Sequence, residues 1–421
     1  MNSQNDLVPS RQDAKTPCRL NGQARGLPSL AWKSEAVASF PFVSVIVPVR
    51  NEADHIHRTL IQLLTQDYDC RSFEVIVADG QSTDGTWSIV AALQNEYANL
   101  QLLSNPKRWS SAGRNAALRV AKGDILVVID GHCELDDLSY LTHLAEAFER
   151  SGADCVGRPQ PLDISGATHL QRAIAWARSS RLGHHSQSWI YSDVECYVPP
   201  ESVAVAYRRE VFQKVGLFDE NFDACEDVEF NHRIARAGMT CFFTPRVQVR
   251  YVPRDSRSGL FRQMVRYGRG RCRLLRKHPD TFSISCLLPA IFLCGLAIGP
   301  TFAWTSPWLL AAYLGGLGFY MLTVLVVSLT LAFQAARISH RFRDLAILVA
   351  RLPLVFATIH LGAGVGFLQE LMVEGRSRIR NAFGLSHYAS KEAPQVLAWR
   401  TSVEDAQTPI SARDFPQSLA G

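Results

Sequence analysis

Three short stretches carry side chains whose types and spacing could do chemistry. In "ILVVIDGHCEL" (125–135) five apolar residues run into Asp130, followed by Gly131 and His132. A carboxylate and an imidazole two residues apart can ligate a divalent cation, the acid through a hard oxygen and the neutral ring through a nitrogen. His132 also reads as a hydrogen-bonded turn residue. In "DACEDVEF" (223–230) Glu226 and Asp227 open a segment of helical spacing that runs to Ala237 and meets Gly238. One acid of such a pair can take the proton of an attacking hydroxyl; both can equally serve as acids that complement a helix N-terminus. In "QMVRYG" (263–268) the residues Gln263, Arg266 and Tyr267 fall at i, i+3 and i+4, on one helix face. That face could close over an anionic ligand or lie on a membrane.

Stepping along the chain gives the elements that must position these groups. "FVSVIVPVRNE" (42–52), "FEVIVADG" (73–80), "LQLLSNP" (100–106) and "DILVVID" (124–130) read as buried strands. Between them "HIHRTLIQLLTQ", "TDGTWSIVAALQNE" and "SSAGRNAALRVAKG" have helical spacing, the second capped near Thr83 or Asp84 and the third stopped by Gly123. Alternation at this spacing predicts βαβ units and a mostly parallel sheet. Asp130, Asp79 and the group Arg50, Asn51 and Glu52 then stand at the carboxyl ends of three strands, where open α/β sheets keep their ligand crevice. A lone acid there is usually a turn or cap residue; three such ends together predict a crevice. No G-x-G-x-x-G follows the first strand and no G-x-x-x-x-G-K-[ST] occurs, which speaks against a dinucleotide site and a P-loop.

The chain has 421 residues and a formal charge of +5, unevenly spread. From Arg246 to Lys277 there are eleven basic residues and one acidic one, Asp255. Just ahead of an apolar segment, such a block predicts an interfacial surface facing lipid phosphates. Ile284–Trp304 and Pro307–Phe333 hold no charge and are long enough to cross a bilayer. Leu345–Gln369 is a third candidate, interrupted by Arg351, Pro353 and His360. The basic run and "RISHRFR" (337–343) fit two spans with both ends cytoplasmic. A third span would place "EGRSRIR" (374–380) outside, so two spans, three spans and a re-entrant third segment stay open. The ten cysteines form no C-x-x-C pair and no zinc spacing, as expected of reduced, partly buried residues. Residues 1–39 lack an apolar signal core and read as a disordered lead. The expected organisation is that lead, a catalytic domain over 40–275 ending in the basic segment 246–277, a membrane region over 284–370 and a tail over 371–421.

Six stretches, in order, resemble the motifs of glycosyltransferase family 2: "VSVIVPVRNE", "VIVADGQSTDGT", "AGRNAAL", "ILVVIDGH", "VGLFDENFDACEDVEFNHRIARAG" and "RQMVRYGRGR". The membrane tail and "IDGH" are most similar to the ExoA-type branch of bacterial exopolysaccharide transferases. The resemblance implies a GT-A fold, an α/β domain, with the apolar helices following it. It implies that Pro48, Arg50 and Glu52 line the nucleotide end and that Asp79 accepts hydrogen bonds from base or ribose. Ser82 and Asp84 would shape the adjacent loop, and Arg114 would approach the diphosphate, which suits its forked guanidinium. The family's usual D-x-D is here Asp130-Gly131-His132. Asp130 would contact the donor through a divalent cation, Mg²⁺ or Mn²⁺, with His132 as the second ligand, and Gly131 would let backbone approach ligand closely. Asp227 would be the base, Glu226 its alternative, and Gln263, Arg266 and Tyr267 would face the diphosphate or the acceptor.

The expectation is therefore an inverting, membrane-anchored glycosyltransferase on the cytoplasmic face of a bacterial inner membrane. It would move a sugar, glucose or a relative, from a UDP-sugar to a polyprenyl-diphosphate-linked saccharide, beside other polysaccharide-assembly proteins and with no nucleic-acid partner. Two other readings stand: transfer directly onto a polyprenyl phosphate, and a nucleotide-sugar-binding membrane protein without turnover.

Overall fold

A row of fully buried aliphatic strands organises the catalytic part of the chain. The computed structural model describes residues 40–382 apart from 136, 163, 165, 185–188 and 340–342; the expected lead and the chain beyond 382 lie outside the described residues. β1 (Val43–Val49), α1 (Ile56–Leu64), β2 (Phe73–Asp79), α2 (Thr86–Gln94), β3 (Leu100–Ser104), α3 (Ser110–Val120) and β4 (Ile125–Val128) follow in strict alternation. β5 (Cys133–Glu134), α4 (Tyr140–Ser151), β6 (Cys155–Gly157), α5 (His169–Ser179), β7 (Cys196–Val198), β8 (Ala204–Arg208), α6 (Arg209–Val215), α7 (Glu226–Arg236), β9 (Cys241–Phe243) and β10 (Arg250–Tyr251) complete the domain.

Eight strands form one sheet in the order β3-β2-β1-β4-β8-β6-β9-β7. The first four are parallel, with Val43 opposite both Phe73 and Ile125. β8 enters antiparallel beside β4, Ile125 facing Arg208. Every residue of β1, β2 and β4 is buried, as expected of parallel strands covered on both faces. Pro48 is tolerated because it lies past Ile46, where the β1–β4 ladder ends. That early ending matters, because it opens the sheet between β1 and β4 and leaves their carboxyl ends to form a crevice. A second, two-stranded ladder pairs Cys133–Glu134 with Arg250–Tyr251, and so carries Tyr251 to the end of β4.

Gly123 differs from expectation. The third helix ends at Val120 with Ala121 extended, so Gly123 is not its stop signal. A side chain there would meet the Ser44 backbone nitrogen at 2.5 Å, and the Gly123 N–H donates to Ser44 Oγ at 2.8 Å. Close approach to β1 is the reason for a glycine.

Beyond the sheet come α8 (Arg257–Lys277), α9 (Ile284–Ala303), α10 (Pro307–Ser339) and α11 (Arg343–Ala382). Three segments are long and apolar enough to cross a membrane: Ile284–Ala303, Pro307–Arg337 and Leu345–Val373. The third is one continuous helix through Pro353. Trp304 and Trp308, both almost fully exposed, flank the short turn between the first two, where interfacial aromatics are expected. The domain is fastened to these helices through α8. Backbone meets backbone there: a side chain on Gly268 would strike the Ala363 carbonyl at 2.1 Å, and one on Gly366 the Val265 carbonyl at 2.0 Å. α5 joins the same layer, its Ala173, Ile174 and Ala177 packing in one apolar cluster with Leu260 and Met264 of α8 and Val355 and Phe356 of α11. All nine cysteines among the described residues are free.

Candidate active site

The carboxyl ends of β1 and β4 open into a cavity of about 1760 Å³ that continues down to α9, α10 and α11. Its wall includes Pro48, Arg50, Glu52, Arg114, Asp130, His132, Glu226, Asp227, Gln263, Arg266 and Tyr267. The residues singled out at the first, third, fourth, fifth and sixth family-like stretches therefore converge on one space. Those of the second stretch do not. Asp79 was expected to bond a base or ribose; it is buried, stands outside the cavity wall, and gives both oxygens to Ser82, accepting from its N–H at 3.0 Å and its hydroxyl at 2.5 Å. Ser82 Oγ in turn accepts from the Asn51 N–H at 2.8 Å, and Asp84 Oδ2 from the Ala53 N–H at 3.0 Å. This carboxylate lattice holds the turn after β1, and with it Arg50 and Glu52, against the turn after β2.

Backbone strain gathers at the same place. Asn51, Gln81, Arg108 and Cys225 are the non-glycine residues with left-handed φ, 56°, 57°, 66° and 62°, among the described residues. Three follow the ends of β1, β2 and β3 and the fourth precedes α7. Non-glycine residues held in this region cost free energy and cluster where geometry serves a site.

His132 is not a simple turn residue. Its Nδ1 lies 2.9 Å from Glu52 Oε1, and its ring meets Tyr251 edge to face at 4.5 Å between centroids. With the ring neutral, Glu52 accepting from Nδ1–H leaves Nε2 its lone pair, and that atom is buried without a partner among the described residues. A carboxylate that fixes one imidazole nitrogen while the other stays bare is the arrangement found around metal-ligating histidines. Asp130 Oδ2 accepts from the Tyr251 hydroxyl at 2.5 Å, and its Oδ1 is 3.9 Å from the Arg114 guanidinium. Burial pushes the Asp130 carboxyl up, but Arg114, His132 and the Tyr251 hydroxyl outweigh it and hold the acid below its ordinary range. The donor set, one ionised carboxylate oxygen and one bare imidazole nitrogen, fits a divalent cation. Gly131 has a different task from the one expected: a side chain there would meet Val49 Cγ1 at 2.7 Å, so the glycine lets the turn pack on β1.

Arg114 stands at the centre. Its guanidinium is 3.3 Å from Glu226 Oε1 and lies over the Phe218 ring at 5.2 Å. It is buried and already paired, so it organises the acids rather than offering a free fork. The two acids of α7 differ sharply. Glu226 is buried, and burial raises its pKa; Arg114 opposes that and Asp227 adds to it. Asp227 is exposed to the cavity, one oxygen accepting only from the Val228 N–H at 2.9 Å. The preceding loop is gripped by α8. Arg266 donates to the Asp223 carbonyl at 2.6 Å, and Arg273 to Asp223 Oδ1 at 2.5 Å. Arg273 also meets Glu370 of α11 at 2.8 Å. Tyr251, Arg273 and Glu370 have no motif to mark them, because only the tertiary fold brings them to the site.

A separate group, His232, His278 and Asp280, could also hold a metal ion. There Asp280 accepts from Arg236 at 2.9 Å and Glu229 accepts from His278 Nε2–H at 3.0 Å, so the cluster is already part of an ion-paired network.

An α/β domain of the GT-A type, with its crevice at the strand ends and three apolar helices behind it, is thus defined. Residues 44–216 match Glycosyl transferase family 2 and residues 139–334 match Glycosyl transferase family group 2. The chain is 34% identical to the succinoglycan biosynthesis protein ExoA of Rhizobium meliloti, over 61% of this chain and 75% of that one. It belongs to glycosyl transferase family 2 and is a glycosyltransferase of polysaccharide or glycan biosynthesis. Glycosyltransferase AglE of Haloferax volcanii is 28% identical, over 56% of this chain and 75% of that one. A dolichyl N-acetyl-alpha-D-glucosaminyl phosphate 3-beta-D-2,3-diacetamido-2,3-dideoxy-beta-D-glucuronosyltransferase of Methanococcus voltae is 25% identical, over 60% and 79%. Among solved structures, the mannosyltransferase PcManGT from Pyrobaculum calidifontis, in complex with GDP-Man and Mn²⁺, superposes with a TM-score of 0.48 at 21% identity, covering 80% of this chain and 89% of that one. That likeness is too loose to carry an argument about this site.

Proposed function

We propose that this chain is an inverting glycosyltransferase that moves a sugar, glucose or a close relative, from a UDP-sugar to a polyprenyl-diphosphate-linked saccharide at the cytoplasmic face of a bacterial inner membrane. The observation that carries the reading is the continuity of the cavity, which joins the strand ends around Asp130 to the walls of α9, α10 and α11, with Asp227 exposed along the way. A water-soluble donor and a lipid-linked acceptor need such a two-ended space. The relative from Methanococcus voltae is named for an acceptor that is itself a dolichyl-linked sugar phosphate, and the one from Rhizobium meliloti for succinoglycan biosynthesis, which supports the acceptor class.

The geometry supports the following roles. Pro48, Arg50 and Glu52 bound the nucleotide, with Asp79, Ser82 and Asp84 holding that wall in place. Asp130 and His132 would hold a divalent cation, Mg²⁺ or Mn²⁺, which when bound supplies positive charge to the departing diphosphate. Asp227 accepts the proton of the acceptor hydroxyl as that oxygen attacks the anomeric carbon and the sugar–phosphate bond breaks. Glu226, paired to Arg114, keeps the carboxylates apart in charge and orients the arginine. Gln263, Arg266 and Tyr267 form the roof over the acceptor, and Arg266 fixes the loop before Asp227.

The test is nucleoside diphosphate release by detergent-solubilised protein with UDP-glucose, Mn²⁺ or Mg²⁺ and bacterial membrane lipid extract. Lipid-dependent release, lost about 1000-fold in Asp227→Asn, is expected for removal of a general base. UDP-sugar binding without any lipid-dependent release would leave a binder and sink the reading.

A further inference from the structure

Most of the inward-facing arginines of this molecule are paired with an acid. Arg114 faces Glu226, Arg233 faces Glu229, and Arg273 faces Glu370 and Asp223. Arg158 is bonded by the Tyr140 hydroxyl and the Val128 carbonyl. Arg178, at the end of α5, forms no ion pair among the described residues. Its guanidinium lies 5.6 Å from the centre of the Tyr267 ring, and its Nε is buried with no hydrogen-bond partner. The groups that face it are phenols: Tyr267, which also hydrogen-bonds it, Tyr191 and Tyr251. A half-buried guanidinium on a cavity wall, faced by phenols and by no acid among the described residues, is available to an anion.

Location narrows the anion. Arg178 lines the cavity wall beside Tyr267 of α8. Helix α5 carries it on a turn whose Ala173, Ile174 and Ala177 pack with α10 and α11. The following loop is tied to α11, where His360 Nε2 meets the Leu182 carbonyl at 3.1 Å and His360 Nδ1 meets the Tyr320 hydroxyl at 3.1 Å. The adjoining wall is apolar and comes from all three membrane helices, through Phe292, Phe319 and Ile359. One forked cation beside an apolar wall suits an amphiphile with an anionic head.

We infer that Arg178, with Tyr267, is the subsite for the phosphate of a lipid-phosphate acceptor, whose chain runs along the Phe292–Phe319–Ile359 wall. This deepens the transferase reading and rests on it. The shared chemistry is a phosphate ester, which could belong to the lipid or to the donor nucleotide. Full-length protein in phosphatidylcholine nanodiscs, with and without undecaprenyl phosphate, and UDP with Mn²⁺ in solution, separate the two sources. Arg178→Gln is expected to weaken undecaprenyl phosphate binding about 10- to 100-fold, the loss of a charge-assisted bidentate contact. Arg178→Lys should recover part of it, and both variants should bind UDP as wild type does. In wild type, phenylglyoxal labelling of Arg178, read by peptide mass spectrometry, should be slowed by undecaprenyl phosphate and not by UDP. Unchanged lipid affinity in Arg178→Gln, or labelling slowed by UDP alone, would overturn the assignment, and the labelling decides if the variants do not fold. Sugar transfer that persists while lipid binding ignores Arg178 refutes this inference alone. Lipid binding through Arg178 without any transfer refutes the transferase reading instead.

Discussion

The two ends of the crevice are built on different electrostatic plans. At the strand ends charges satisfy one another: Glu52 with His132, Arg114 with Glu226, Asp130 with Tyr251. At the membrane end Arg178 is faced by phenols, while Arg269 and Arg273 of α8 are drawn to Glu370. The first end is a preorganised network of paired charges, in which His132 Nε2 is buried without a partner among the described residues. The second has positive charge in excess and an apolar wall beside it. The proposed donor and acceptor differ in the same way, one a soluble nucleotide sugar and the other an amphiphile. The rigid junction between the ends is α8, which holds the Asp223–Cys225 loop on one side and α11 on the other.

If that junction is what keeps the ends in register, Glu370→Ala should show the largest effect. It takes one of Arg273's two acids, leaving Asp223, and leaves Arg269 and Arg276 without their shared acid. A loss of about 3 kcal/mol is expected for breaking a buried pair, seen as a lower midpoint in thermal melts of detergent-solubilised protein. A melt within a degree of wild type would mean that α8 is held by its glycine contacts alone. Glu52→Gln strikes only the strand end. It should weaken Mn²⁺ binding about 10-fold in a titration with UDP present, because Nδ1 of His132 loses the acid that fixes its tautomer. Undiminished Mn²⁺ affinity would show that His132 is no ligand. Thr168→Ala strikes only the membrane end. Thr168 Oγ1 accepts from the Gln171 N–H at 3.2 Å in a capping box that starts α5, so about 1 kcal/mol should be lost, with UDP affinity unchanged.

The mildest test is pH. Asp130 titrates below its ordinary 3.8 in the folded chain, so its contribution to stability is present above 3.8 and fades as pH falls through the lower, folded value. Glu226 is raised, so its contribution is full below 4.5 and fades as pH rises through the folded value. The stability gap between wild type and Asp130→Asn should therefore hold from neutral pH down to about pH 4 and narrow only below. A gap that closes near pH 6 would mean that Arg114 and Tyr251 do not hold the Asp130 charge.

The same contrast governs what could be read without the fold. The strand end was largely legible. Three of its four strands, β1, β2 and β4, are buried on both faces and appear as largely aliphatic runs, while β3, expected to be buried, is mostly half-exposed; the polar terminators mark the crevice. Asp130, His132, Glu226 and Asp227 stand there because local sequence places them at a strand end or a helix start. Asp79 misled because a carboxylate at a strand end can face ligand or loop, and only the position of Ser82 decides which. The membrane end was nearly silent. Strands β6, β7 and β9 have three residues each, too few for a period to show. Arg178 sits in an ordinary amphipathic helix, and Glu370 looks like the polar end of an apolar one. Their meaning lies in partners 89 to 101 residues away: Tyr267 for the first, Arg269 and Arg273 for the second. No spacing rule reports such pairings.

The division of labour between the two ends is tested most directly by a double dissociation. Binding of Mn²⁺–UDP and of undecaprenyl phosphate in nanodiscs would be measured on wild type, His132→Gln and Arg178→Gln. The prediction is that His132→Gln loses affinity for Mn²⁺–UDP and keeps the lipid, while Arg178→Gln loses the lipid and keeps Mn²⁺–UDP. Parallel loss of both ligands in both variants would contradict it, and would mean that the crevice is one site rather than two.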